Sequence, residues 1–184
     1  MSFLGQIALV GAILVYLFST TFNLAEANSF YVMILILISG IVLTVVLVGM
    51  PKFSFNFRGL STDAISTVGS FVAVYEVNQV VPAQIGISPI GETAFGVLAG
   101  VSEEWFFRAF LCCWFYKITK NMWLSVGISS MIWAVFHLAR YGGSPNLIWI
   151  VFLAGLPLGF FTLYFKSTDG PTFAHMIINA IARG

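Results

Sequence analysis

Residues 93–116 read Thr-Ala-Phe-Gly-Val-Leu-Ala-Gly-Val-Ser-Glu-Glu-Trp-Phe-Phe-Arg-Ala-Phe-Leu-Cys-Cys-Trp-Phe-Tyr, an apolar run whose only charges, Glu103, Glu104 and Arg108, lie near its middle. The run is long enough for a helix that crosses a bilayer. Three unpaired charges at mid-bilayer cost on the order of 8–10 kcal/mol on insertion scales. Glu104 and Arg108 stand four residues apart, about one helical turn, and can pair, which leaves Glu103 as the surplus acid. Helical spacing puts Glu103 on the face of Gly96 and Gly100, whose Gly-x-x-x-Gly pattern lets another helix approach closely. Glu103 is therefore expected to face the interior of a bundle, where an ionisable group is a functional candidate by default. A hydrogen-bonded structural carboxyl is the plainer alternative, and Glu104 with Arg108 can equally be a structural pair.

The rest of the chain has the same character. Its 184 residues are 59% hydrophobic and 8% charged, with 8 basic and 7 acidic side chains and a mean hydropathy of +0.98. Soluble domains carry about 25% charged residues, so lipid is the expected solvent. Disorder is excluded by the apolar content. Nucleic-acid binding through a basic field is excluded by a net charge of +1. Unpaired backbone cannot cross lipid, so the apolar stretches are expected to be helices. They run from Phe3 to Thr20, Phe30 to Met50, Ala64 to Val81, Thr93 to Tyr116, Met122 to Ala139 and Leu147 to Phe165, with a short amphipathic segment from Pro171 to Arg183. The expected fold is all-α: a polytopic integral membrane helix bundle of about six spans plus a short C-terminal helix. One membrane domain over residues 1–184 is expected. Although Ala25-Glu26-Ala27 resembles a cleavage site, the first segment is read as a span, because it lacks a basic leader and its apolar run is long for a signal peptide.

Lys52, Arg58, Lys117, Lys120 and Lys166 fall in loops on one side, against Arg140 and Arg183 on the other. Five against two predicts that the N-terminus and the lysine-bearing loops are cytoplasmic. Cys112 and Cys113 are neighbours in an apolar run, pointing about 100° apart, and read as apolar fillers rather than a disulfide. Glu76, in the third segment, could line a cavity or be a structural carboxyl.

Two more polar constellations lie in apolar helices. Ser130, Trp133 and His137 share a stripe on the fifth segment, and His175 and Asn179 share a face on the seventh. These are the only two histidines in the chain. A lone histidine near a helix end is commonly an interfacial residue, but two that can converge on a buried glutamate suggest chemistry. A carboxylate in a low-dielectric site can take a proton from water, and a neutral imidazole can share that water and aim its lone pair. A second imidazole with a carboxamide can supply donors for an oxyanion. There is no Gly-x-Ser-x-Gly elbow and no His-Glu-x-x-His zinc helix. The chemistry read from these residues is attack by water without a covalent nucleophile.

The three motifs, Glu103-Glu104-x-x-x-Arg108, Trp133-x-x-x-His137 and His175-x-x-x-Asn179, resemble in this order those of the CPBP superfamily: type II CAAX prenyl endopeptidases and the related bacteriocin-processing and self-immunity proteins. The stretches Gly155-Leu-Pro-Leu-Gly159 and Thr168-Asp-Gly-Pro171 resemble it too. The likeness covers residues 92–183, a protease-like core, with residues 1–81 as additional N-terminal spans. It implies Glu103 as the catalytic glutamate, His137 as its partner on water, and His175 and Asn179 at the oxyanion, with Glu104, Arg108 and Trp133 in support. Trp133 departs from the Phe usual in the family, which bears on the shape of the aromatic wall. The resemblance implies no cofactor, zinc held by Glu103, His137 and His175 being the minority alternative. It implies a peptide or prenylated-protein substrate at the membrane, no nucleic-acid partner, and residence in the cell membrane of a prokaryote.

Straight helices would set His137 near one end of its span and His175 near the start of its own, on opposite sides of Glu103. For the two to meet, the sixth span is expected to break at Gly155, Pro157 and Gly159, or the loop before Pro171 to lie inside the bundle. Two other functions stay open: a non-catalytic binding or immunity protein, and a proton-linked carrier relaying through Glu76, Glu103 and the histidines. The small bundle without an internal repeat disfavours the carrier.

Overall fold

The computed structural model describes residues 1–24, 29–49, 57–79, 90–141 and 145–181. Among these every regular element is helical. α1 runs Phe3–Leu24 and α2 Ser29–Leu43, the latter continuing as a π-helical turn over Thr44–Val48. Gly49 ends that turn at φ +108°, a conformation that glycine adopts without penalty, and its N–H closes onto the carbonyl of Thr44 at 2.8 Å. α3 spans Phe57–Gln79. α4 (Ile90–Glu103) passes through a π-helical stretch, Glu104–Cys112, into α5 (Cys113–Thr119), making one continuous rod. α6 spans Met122–Tyr141, α7 Pro145–Phe165 and α8 Asp169–Ile181.

The chain is an all-α membrane bundle. Among the described residues three helical segments, Phe3–Thr21, Phe30–Val48 and Ile148–Phe165, are long and apolar enough to cross a bilayer, and Met122–Leu138 is a shorter apolar helix. Counting α2 with its π turn and α4–α5 as single rods, seven helical rods stand among the described residues where six spans and a short C-terminal helix were expected.

Among the differences from expectation are two helix starts and one break. α3 begins at Phe57 rather than Ala64, because the polar residues ahead of Ala64 belong to its first turns: Thr67 returns its hydroxyl to the Asp63 carbonyl, and Asp63 accepts the Ser167 hydroxyl at 3.0 Å. α8 begins at Asp169, whose N–H is held by the Ser167 hydroxyl at 3.2 Å, two residues before the expected Pro171. The expected break in the sixth span is absent: α7 is continuous through Pro157. Its glycines act in packing instead, with Gly155 against Ser130 and Trp133 and Gly159 against Val126, so that α6 and α7 run antiparallel in close contact. The Ala25-Glu26-Ala27 stretch, Lys52 and Arg183 lie outside the described residues.

Local chemistry sets the turns. α5 stops at Lys120 and α7 at Lys166, both left-handed. Asn121 then caps α6, its Oδ1 accepting the Leu124 N–H at 3.1 Å. Lys117 donates to the Leu47 carbonyl at 2.9 Å, tying α5 to the end of the α2 rod. The core forms around the π-helical stretch, in which every residue but Trp105 is buried. Phe106, Phe107 and Phe110 pack there edge to face, and Phe107 meets Phe136 of α6 at 5.5 Å. Gly40 of α2 touches the same stretch: a Cβ there would lie 2.9 Å from the Phe106 Cα, so two backbones meet with no side chain between them. Cys112 and Cys113 are free thiols, Cys112 buried.

Candidate active site

The Gly-x-x-x-Gly face of α4 receives α8. A Cβ on Gly96 would lie 3.1 Å from the Asn179 carbonyl oxygen, and one on Gly100 would lie 3.1 Å from the Met176 nitrogen. The two helices are therefore antiparallel and nearly touching. Asn179 fastens them, its Nδ2 donating to the Gly96 carbonyl at 3.1 Å. One turn along α8 this approach brings His175 to the end of α4, where the winding changes and Glu103 and Glu104 follow one another.

Glu103, only 2% exposed, is met from two helices. Its Oε2 accepts the Trp133 indole N–H at 2.7 Å. The same oxygen lies 3.7 Å from His137 Nε2 and 3.9 Å from His175 Nε2. These separations exceed a direct hydrogen bond and suit a small group shared between the partners. His137 Nδ1 is 3.0 Å from the Trp133 carbonyl, which can only accept, so Nδ1 carries a proton, and in the neutral form of the ring Nε2 bears the lone pair. His175 is held likewise, Nδ1 donating to Glu104 Oε1 at 2.8 Å.

Glu104 and Arg108 are both fully buried. Their charges lie 3.2 Å apart on the same Oε1 that receives His175, so one oxygen serves two cationic or donor neighbours. The guanidinium rests 4.1 Å above the Trp133 ring. Among the described residues none of its nitrogens makes a hydrogen bond of good geometry, and Glu104 Oε2 has none either. Arg108 is thus held, among the described residues, by the Glu104 ion pair and the Trp133 ring face.

Six side chains picked out in the sequence, Glu103, Glu104, Arg108, Trp133, His137 and His175, are therefore in mutual contact. Asn179 sits a turn away on the Gly96 carbonyl. Ser130, on the same stripe as Trp133, packs against Gly155. Glu76 is exposed on α3, apart from this cluster. The two histidines meet although α7 is unbroken, because Trp133, one turn before His137, touches both rings edge-on, at 4.8 Å and 5.5 Å. The donor role of Trp133 was not anticipated; its one sequence signal is an indole, with an N–H, where the resembled pattern has a plain ring. Among the described residues no group of three His, Cys, Asp or Glu side chains is arranged to hold a metal ion. The nearest arrangement is the Glu103–His137–His175 trio, whose shared oxygen already takes the indole N–H.

A helix bundle that gathers two acids, an arginine and two histidines at one point, in an interior whose other buried side chains are apolar or the hydroxyls of Ser and Thr, is an integral membrane protein organised around a polar centre. The family model described as type II CAAX prenyl endopeptidase, Rce1-like, matches residues 89–181, about half the chain and all three motifs, and the chain belongs to this family. At the level of the family it is a CAAX-protease-like membrane endopeptidase. No curated protein and no solved structure matches it.

Proposed function

We propose that the protein hydrolyses a peptide bond close to the membrane by glutamate-activated water, with no bound metal. The convergence of His137 Nε2 and His175 Nε2 on the single oxygen Glu103 Oε2 carries this reading. A water shared by Glu103 and the Nε2 lone pair of His137 has both protons directed at acceptors and a lone pair left to attack. As its oxygen bonds to the scissile carbonyl carbon, one proton passes to Glu103, and the carbonyl oxygen becomes an oxyanion. Collapse of that intermediate breaks the C–N bond, and the proton goes to the departing amine nitrogen.

His175 is assigned to the oxyanion. To donate from Nε2 it must carry both ring protons, with Glu104 accepting the one on Nδ1. Asn179 uses one amide N–H on Gly96, and its second is the one assigned to the oxyanion. Glu104 and Arg108 hold His175 in place. The substrate proposed is a peptide or prenylated protein presented from the bilayer, in the cell membrane of a prokaryote, with the N-terminus and the lysine-bearing loops in the cytoplasm.

The decisive experiment reconstitutes the full chain in lipid and supplies a prenylated CAAX peptide beside its unprenylated control. Cleavage that is lost in Glu103→Gln, with folding retained, is expected. Cleavage retained in that variant overturns the mechanism. A phenotype that survives Glu103→Gln without any cleavage identifies a binding or immunity protein instead, and proton-coupled flux in proteoliposomes would identify a carrier.

A further inference from the structure

We infer that Trp133 is a positioning residue for Glu103, acting through its indole N–H and not only through its ring. The inference rests on the proposed role of Glu103 as the group that takes the proton from water.

The indole nitrogen is 2.7 Å from Glu103 Oε2, the short distance of a hydrogen bond to a charged acceptor. It holds the very oxygen that faces both histidines. A glutamate has three rotatable side-chain bonds, so an unanchored carboxylate would have to be ordered anew in each turnover.

Trp133 is itself immobilised on every side. The Arg108 guanidinium covers its ring at 4.1 Å. His137 and His175 meet it at interplanar angles of 77° and 82°. Its far edge lies against Gly155, where an added Cβ would be 3.0 Å from Cε3. Its carbonyl fixes the tautomer of His137. One residue thus orders the carboxylate by its side chain and the imidazole by its backbone. A phenylalanine there keeps a ring and the carbonyl but loses the donor together with part of the buried indole volume, so the indole resonance is the readout that separates the N–H from the packing.

The test uses the full chain in lipid nanodiscs. Trp133→Phe is expected to lower kcat about 10- to 100-fold, the worth of one hydrogen bond to a charged group, with KM changed less than about twofold. A residue that only packed would not split the two constants in this way. The second readout needs no substrate. The chain has five tryptophans, and the indole N–H resonance of Trp133 is assigned by eliminating the other four with single Trp→Phe variants. It is expected downfield of the rest and to move upfield in Glu103→Gln, where a neutral amide replaces the carboxylate.

Wild-type kcat in Trp133→Phe, or an indole resonance unmoved by Glu103→Gln, overturns the inference. If Trp133→Phe does not fold, the resonance alone decides. Activity retained in Glu103→Gln removes the underlying reading and this inference with it. An inactive Glu103→Gln beside a fully active Trp133→Phe removes this inference alone.

Discussion

His175 Nδ1 and the Arg108 guanidinium both bear on one oxygen, Oε1 of Glu104, at 2.8 Å and 3.2 Å. The carboxylate is fully buried, so it joins α8 to the rod that carries Glu103 without any help from solvent.

Replacing Glu104 by Ala strands the Arg108 charge in the interior, and the expected cost is about 3–5 kcal/mol of stability. Removing both charges together, as in Glu104→Gln with Arg108→Met, should restore much of it. Thermal unfolding of the three proteins in detergent checks this; a single variant as stable as the double would refute the account.

Ala at His137 or His175 should reduce turnover by about 100- to 10,000-fold, the range of general acid–base and oxyanion contributions, while leaving the fold in place. A strong chelator should leave the wild-type rate unchanged. Inactivation by the chelator, reversed by added zinc, would favour a metal at Glu103, His137 and His175.

Gly100→Ala should be damaging and Gly127→Ala should not. A Cβ on Gly100 meets the Met176 backbone at 3.1–3.2 Å, whereas one on Gly127 meets nothing within 4 Å. Pushing α8 away displaces His175, so activity should fall further than the overpacking cost of about 1–3 kcal/mol implies. Gly127→Ala should be neutral or slightly stabilising through helix propensity. Unfolding midpoints and rates measured side by side test the pair.

Asp169, at the turn into α8, has its carboxyl pushed upward first by burial and then by the nearby Asp63 charge, against a smaller opposing effect of the Ser167 hydrogen bond. A carboxyl raised in the folded state binds its proton more tightly there than in the unfolded chain. Stability from this group is therefore present at low pH and lost as pH rises from about 4, the unfolded value, through the folded one. Asp169→Asn should flatten the pH dependence of the unfolding midpoint over that window. A steeper dependence in the variant would contradict the assignment.

The sequence announced the centre of this protein more clearly than its scaffold. Glu103, Glu104 and Arg108 stood out because charge is scarce in an apolar run, and Gly96 and Gly100 foretold the close approach of a helix, which is α8. Counting residues along straight rods failed to bring His137 and His175 together, because rise per residue ignores tilt and the reach of a ring such as Trp133. The Gly155-Pro157-Gly159 stretch suggested a break, yet tight packing on α6 keeps α7 helical there. The π winding of 104–112 left no trace in the periodicity, since it depends on what packs around the rod. The indole N–H of Trp133 was invisible to a reading that treated aromatic residues as wall.

Gly40 carries a last consequence. The family match begins at residue 89, yet the backbone at Phe106 lies directly against the α2 backbone. The half that matches the family is consequently not expected to be a module that could be excised: shortened to 89–184, it would turn a furrow moulded to another main chain toward lipid. The first two helices are a buttress built into the enzyme, and mutations there should register in catalysis from outside every recognisable motif.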